Sequence, residues 1–383
     1  MKLVYLAPIG LFDDWAHTVQ IMKMCEAFSQ AGAEVELVVP NRKVSFSKSD
    51  TTAADPFKYN NVKEVFKITK LPAIDLFYGS PSKFFYWLRL ISFLVSSRFY
   101  LAFKKYDILY TREVYSRLFF SNLYLEKHTF PKIVSYFNKF VFKSVKGLVV
   151  LTSFIKKGMI DLGVGADKVL VSHDGVRLED FSITISKDDA RRDLSLSSKD
   201  YIFGYIGTLK TMGMEKGVGD AISALKYLPN NYRLYVVGGT KVDVSFYESF
   251  SISVGVRARV TFAGTVLHKS IPIHISACDI VVAPFPKNEH YEYYMSPLKI
   301  FEYMASKRPM VVTNLASLRE VLRDKETALF IEPNNPKQLA SAVEELVNNP
   351  DLAEKISQNA YLDMEQNYTW NKRAENIIEF IKK

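Results

Sequence analysis

The sequence predicts a two-lobed α/β protein built from two Rossmann-like parallel sheets, and three observations predict it. The chain has 383 residues, 48% of them apolar, which suits two cores better than one. Its first 40 residues run strand, helix, strand, the βαβ unit that a parallel sheet is made of. A second series of the same kind opens at residue 201 and continues through short apolar runs to residue 333.

In order, KLVYLAPI is a buried strand. HTVQIMKMCEAFSQAG follows as a helix, with Val19, Met22, Cys25 and Phe28 on its apolar side and Gly32 as its stop, and VELVVP is the next strand. YDILYT and GLVVLTS are later strands of the same sheet. After HDGVRLEDF the composition turns polar, and ISKDDARRDLSLSSKD reads as a surface stretch at a domain junction. YIFGYIGTL, YRLYVVGG, VTFAGTV, DIVVAPF, MVVT and ALFIEP then supply a second sheet. The expected division is a first domain over residues 1–180 and a second over 200–367.

Residues 84–103, FFYWLRLISFLVSSRFYLAF, are apolar enough to raise a membrane question. Arg89 and Arg98 lie inside the run, and two central arginines are costly in a spanning helix. An amphipathic helix in the bilayer interface and a helix packed on the first lobe both fit, and the two are compatible. The surrounding charge sharpens the point. Of the net +9, residues 83–157 carry +11, and they hold 20 of the 52 aromatics. Basic and aromatic together suit an anionic membrane, nucleic acid, or a solvated face over an aromatic core. No nucleic-acid recognition motif accompanies them, so an anionic membrane surface is the expected partner, through residues 84–105 and their basic neighbours. The two cysteines, Cys25 and Cys278, sit in apolar contexts, so no disulfide framework is expected and a reducing compartment is. MKLVYLAPIG is too short an apolar run for a secretory signal, which fits a cytoplasmic location, peripheral on the membrane.

The segment HYEYYMSPLKIFEYMASKRPMVVTN, residues 290–314, carries the most chemistry. Ser296 suits an N-cap and Pro297 the first helical position, which leaves the amides of Leu298 and Lys299 pointing out of a helix start. Such a start attracts anions. Glu302 would lie roughly 6–9 Å further along, a spacing that fits a diphosphate on the amides and sugar hydroxyls on the carboxylate. An ordinary helix and strand with a surface Glu reads equally well from these residues alone. The loop GTLKTMGMEKG, residues 207–217, follows the first strand of the second lobe. Gly207 permits close approach of a phosphate, and Lys210 and Lys216 would neutralise it; a surface turn with routine lysines is the plainer alternative. No pair of carboxylates or His/Cys cluster has metal-binding spacing, so no metal is expected. GGT at 238–240 is no dinucleotide fingerprint.

SPLKIFEYMASKRPMVVT closely resembles the donor-binding signature of family-4 glycosyltransferases of the GT-B fold. That signature has two Glu residues eight positions apart. Here the second is Glu302, but Tyr294 stands at the first, and Glu292 is out of register by two. In the 207–217 loop, Lys216-Gly217 matches the family, whereas Thr208 stands where a basic residue is usual, so Lys210 would substitute. Further stretches resemble the family in the right order: AHTVQIMKMCEAFSQAGAEVELVVP with Gly10 before it, VLTSFIKKGMIDLGVGADKVLVSHDGVRLEDF, FAGTVLHKSIPIHISACDIVVAPF, and YTWNKRAENIIEFIKK, the terminal helix (368–383) that rejoins the first lobe.

The resemblance implies two domains facing a cleft, a nucleotide-sugar donor and transfer with retention to a hydroxyl acceptor, with no cofactor. His128, in YLEKHTFP, would face the donor sugar, though a surface His in a polar turn after SNLYL is the alternative. Gly10, His17, Arg112 and Glu113 are candidates on the acceptor side, the last two equally readable as a structural ion pair. Asp279 reads as a helix–strand junction residue, and His173 and Asp174 as hinge residues. The acceptor expected is lipid-linked or a surface-polysaccharide precursor. Tyr294 supports a competing expectation, an inactive scaffold or nucleotide-sugar-binding subunit. A sugar-nucleotide epimerase or a phosphorylase fits less well, the latter because no free-phosphate site is visible.

Overall fold

The structure, a computed structural model, describes residues 1–12, 16–41, 55–75, 83–182, 185–211 and 213–383. It divides into two compact units. Unit 1 holds Met1–His173 and Trp370–Lys383, and unit 2 holds Asp174–Thr369.

Unit 1 is built on seven strands: β1 (Lys2–Leu6), β2 (Glu34–Pro40), β3 (Lys67–Leu71), β4 (Ile108–Thr111), β5 (Tyr124–Lys127), β6 (Gly147–Val150) and β7 (Val169–Val171). They pair in parallel in the order β3-β2-β1-β4-β5-β6-β7. A parallel sheet is covered on both faces, which is why β4 and β6 are buried at every position. The helix Ala16–Gln30 crosses from β1 to β2 and packs against the C-terminal helix Trp370–Lys382. The apolar run of 84–103 forms the helix Lys83–Ala102. Leu90, Phe93, Leu94, Ser97 and Leu101 recur at helical spacing and bury one face. Among the described residues no helix is long and apolar enough to cross a membrane.

Unit 2 holds β8 (Tyr201–Ile206), the short hairpin of β9 (Lys210–Thr211) and β10 (Met214–Glu215), then β11 (Tyr232–Val237), β12 (Val260–Gly264), β13 (Ile280–Ala283), β14 (Met310–Thr313) and β15 (Leu329–Ile331). Six of these form a parallel sheet in the order β12-β11-β8-β13-β14-β15. Alternate residues of β8 feed two cores, Ile202 and Ile206 one, Phe203 and Tyr205 the other. Both cysteines are free and buried.

In each sheet the strand order reverses beside the first strand, between β1 and β4 and between β8 and β13. The crevice at the carboxyl ends of strands at such a reversal is where open α/β sheets bind ligands. The sites sought are therefore the loops that leave β1 and β4 in unit 1, and β8 and β13 in unit 2.

Candidate functional site

In unit 2 the backbone leaves β8 at Gly207, with φ +139°, a conformation that side chains rarely adopt. A Cβ there would also press within 2.9 Å of Lys299 Cε. The loop, described apart from Met212, folds back through β9 and β10 and ends at Gly217, with φ +85°. A Cβ at Gly217 would stand 1.7 Å from the carbonyl oxygen of Pro284, so glycine alone lets the loop close on the end of β13. Within it, Lys216 Nζ donates to Thr208 Oγ1 at 2.7 Å, and the Tyr205 hydroxyl donates to the Thr208 carbonyl at 2.9 Å. Burial pushes the Lys216 amine down to about 8.

Lys210 does not join Lys216. Its Nζ lies 3.1 Å from Asp243 Oδ1 and above the Phe246 ring, on the helix Lys241–Ser253. The second lysine at this strand end is Lys299. Its side chain is buried, its Nζ lies 3.6 Å from the centroid of the Tyr205 ring, and it makes no hydrogen bond among the described residues. Burial holds the amine well below the usual lysine range, and the nearby Lys216 adds to that. Sequence reasoning assigned Lys299 only its backbone amide, because a lysine in a helix ordinarily reaches solvent.

The helix Leu298–Ala305 starts beside the loop, and its first backbone bond runs from the Ile300 N–H to the Pro297 carbonyl at 3.0 Å. Pro297, not Ser296, is the N-cap, and among the described residues no side chain caps the helix. Ser296 is drawn away because its Oγ accepts the backbone N–H of Asp174 at 2.9 Å. A helix start with no capping side chain keeps its amides for something else. The Tyr303 hydroxyl fixes this helix to β8 by accepting from the Ile206 N–H at 2.9 Å and donating to its carbonyl at 3.0 Å. One turn on from the helix start, Glu302 meets His268 Nε2 at 3.0 Å.

Tyr294 ends a short π-helical turn, His290–Tyr294, and its hydroxyl donates to Glu289 Oε1 at 3.2 Å. Glu292, the acid nearest in sequence, lies 3.9 Å from Lys287 and keeps one buried oxygen without a hydrogen bond. Asp279 is structural, as its position suggested: it binds Arg191 at 2.6 Å and Lys187 at 2.7 Å, and accepts the Ile202 N–H. A cavity of about 440 Å³ lined by Lys187, Asp279 and Arg308 lies at the amino ends of the strands, away from this site.

In unit 1, His128 follows β5 directly, since the strand runs over Tyr124–Lys127 and not over SNLYL. It is no surface residue. Its Nε2 donates to Glu126, a fully buried carboxylate that also takes Arg373 at 3.0 Å, the Gln20 amide at 2.8 Å and the Tyr110 hydroxyl at 2.6 Å. Burial alone would raise the Glu126 carboxyl, but Arg373, His128 and Arg112 hold it well below the usual carboxylate range. Burial and Arg112 push His128 down to about 3, so it is neutral near pH 7. An ionised carboxylate only accepts, so the His128 proton is on Nε2 and Nδ1 is an acceptor.

Arg112 and Glu113 do not pair with each other. Arg112 Nη1 donates to Gln20 at 2.9 Å, and Glu113 caps a turn by accepting the Tyr115 N–H at 3.1 Å. Burial raises the Glu113 carboxyl. Gly10 follows β1 and its carbonyl accepts the Thr18 hydroxyl at 3.4 Å, while His17 is half-buried in the first turn of the next helix. Sequence reasoning missed Gln20, Glu126, Arg373 and His268. Glu126 was signalled only by an acid inside an otherwise apolar strand.

The family model of the glycosyl transferases group 1 matches residues 186–363, almost all of unit 2. Over that region the chain is similar to the group 1 glycosyl transferases. The chain is similar to an uncharacterized glycosyltransferase, MJ1607, of Methanocaldococcus jannaschii, at 26% identity over 220 residues, 56% of this chain and 54% of that protein. The chain thus spans about half the length of that curated relative. Among solved structures, sucrose-phosphate synthase from Thermosynechococcus elongatus superposes with a TM-score of 0.78 at 19% identity, over 100% of this chain and 98% of the other. Anabaena Alr3699/HepE, solved in complex with UDP and glucose, gives 0.74 at 15% over 100% and 99%. These likenesses establish the GT-B fold class for the two parallel-sheet units.

Proposed function

We propose that this protein is a retaining glycosyltransferase that takes a sugar from a nucleotide-sugar to a hydroxyl acceptor. The observation that carries the reading is the gathering around the end of β8 of Lys216, a buried Lys299 with no hydrogen bond among the described residues, and a helix start that no described side chain caps. Lysine amines and free helix amides gathered at one strand end form a site for an anion, and the spacing to Glu302 suits a nucleoside diphosphate. As the bond from sugar to diphosphate breaks, negative charge grows on the leaving group. Lys216 and the amides of Leu298 and Lys299 stabilise it, and Glu302 holds the ribose hydroxyls. In unit 1, the neutral His128 carries an acceptor nitrogen, Nδ1, of the kind that takes a sugar hydroxyl. The UDP in the Anabaena structure supports a nucleotide-sugar donor for this fold. No metal enters this scheme.

The acceptor we propose is lipid-linked or a surface-polysaccharide precursor, met at the cytoplasmic face of a membrane. Its support is an exposed surface of unit 1. Opposite its buried face, the helix Lys83–Ala102 exposes Phe84, Ile91 and Phe99, and Phe103 just beyond it is 90% exposed. Trp87 packs on Tyr115 and Tyr115 stacks on Phe137, which joins this helix to Tyr136–Ser144, where Tyr136 is 93% exposed. Arg98, Lys105, Lys132, Lys139, Lys143 and Lys146 are exposed along the same segments. Apolar side chains ringed by basic ones suit an anionic bilayer.

A second reading, a nucleotide-sugar-binding subunit without turnover, is favoured by one observation, the phenol of Tyr294 where the family's first acid stands. The two are separated by incubating the protein with UDP-, GDP- and ADP-sugars and a polyprenyl or glycolipid acceptor mixture. Acceptor-dependent release of one nucleotide, lost in Glu302→Ala, is the result expected of the transferase. Binding of a nucleotide with no turnover on any acceptor establishes the second reading.

A further inference from the structure

We propose that the Lys299 side chain is the buried counter-charge of the diphosphate site and takes up a proton from solvent as the anion binds. The inference rests on the donor-binding reading of unit 2 and assigns a role that the loop lysines do not fill.

The geometry carries it. Lys299 Nζ sits under Gly207, 3.2 Å from where a Cβ on that glycine would be, so the missing side chain opens the strand end directly above the amine. The Tyr205 and Phe285 rings flank Nζ at 3.6 and 5.3 Å from their centroids. From the loop, Lys216 faces it with the same sign of charge. From its own helix, Glu302 is the acid in range, already held by His268, and the Tyr303 hydroxyl is spent on Ile206. A buried lysine amine with no hydrogen bond among the described residues is costly to keep charged. The downward shift that burial imposes on the amine agrees, since it disfavours the charged form in the free protein. Lys210, the other cation expected here, is committed to Asp243.

A diphosphate on the amides of Leu298 and Lys299 reverses the balance. Its negative charge sits beside the amine and Lys216, and the ammonium form becomes the stable one. One proton moves from buffer to Lys299 Nζ, no bond to carbon changes, and the site gains one positive charge where the leaving group's charge will grow. Burial of an uncharged amine also lets the empty site fold without two unpaired cations in it.

The test is calorimetric titration of the full chain with UDP, GDP and ADP at pH 8.0, where these nucleotides are fully ionised, in Tris and in HEPES. The difference in heat between buffers counts the protons taken up. The expected result is that the nucleotide that binds brings in more than one proton for wild type, Lys216 included, and close to one fewer for Lys299→Met. Wild-type affinity should also tighten by up to tenfold per pH unit for each proton taken up as pH falls from 9 to 8. Should Lys299→Met fail to fold, the proton count and the pH dependence of wild type decide alone. Tight binding with no proton uptake, or an unchanged count in a folded Lys299→Met, overturns the proposal while leaving the donor site standing. Absence of binding by all three nucleotides overturns the donor-site reading itself, and this proposal with it.

Discussion

Arg373 and Glu126 are 247 residues apart in sequence and 3.0 Å apart in the fold, and neither side chain is more than 2% exposed. The arginine comes from the C-terminal helix and the carboxylate from β5, so the last turns of the chain complete the surroundings of His128. The same arginine donates to the carbonyls of Ser172 and His173.

Removing one partner of a buried pair strands the other. Arg373→Met should therefore cost about 3–5 kcal/mol, and the double variant Arg373→Met/Glu126→Gln should recover part of that. Urea unfolding of the three proteins measures it. A loss below about 1 kcal/mol in the single variant would show the pair to be dispensable.

Acid should weaken the fold before any carboxylate of this network protonates. His128 is pushed down to about 3 and His173, by burial, to about 4, whereas an unfolded histidine titrates near 6.5. Between those values the unfolded chain binds more protons, so stability falls as pH drops from about 6.5, by up to about 1.4 kcal/mol per pH unit for each histidine. The Glu126 contribution has the depressed-carboxylate sign and is lost only at lower pH, below about 4.5. Melting temperatures from pH 7 to 5 check this, and His128→Asn should show a visibly flatter slope.

The two loop lysines should separate. Lys216→Ala should lower kcat by about a hundredfold, with a smaller effect on KM, because its charge acts on the leaving group. Lys210→Ala should change either parameter less than about threefold, since its partner is the partly exposed Asp243. Steady-state kinetics on the donor found by the nucleotide-sugar screen distinguish them.

Unit 1 should bring the protein to vesicles containing phosphatidylserine at low salt, with binding that weakens as salt rises. Phe103→Ser with Tyr136→Ser should lower co-sedimentation several-fold without changing the melting temperature, because both side chains stand in solvent. Equal binding to neutral vesicles would remove the basic residues from the account.

The central strands of both sheets were legible as short apolar runs between turn signals, and the helix of residues 83–102 from the helical spacing of Leu90, Phe93, Leu94 and Leu101. The strand β3, KITKL at the sheet edge, has lysines at both its first and fourth positions and was not legible. The helix start at 298 was legible from Pro297. Its cap was misread, because the Ser296 hydroxyl answers an amide at Asp174, 122 residues away, and no local rule contains that partner. Glu126 and Arg373 were opaque for the same reason. Lys299 was half legible: its amide followed from the helix start, but its buried side chain depends on Gly207 and Tyr205 of another strand. Lys210 and Lys216, six residues apart, looked alike until the hairpin of β9 and β10 sent them to different partners.

A crystal structure of the protein with its nucleoside diphosphate tests the central claim most directly. The account predicts phosphate oxygens within hydrogen-bonding distance of Lys216 Nζ and of the Leu298 and Lys299 amides, with the ribose hydroxyls on Glu302. A nucleotide bound elsewhere in unit 2, with those groups untouched, would contradict it.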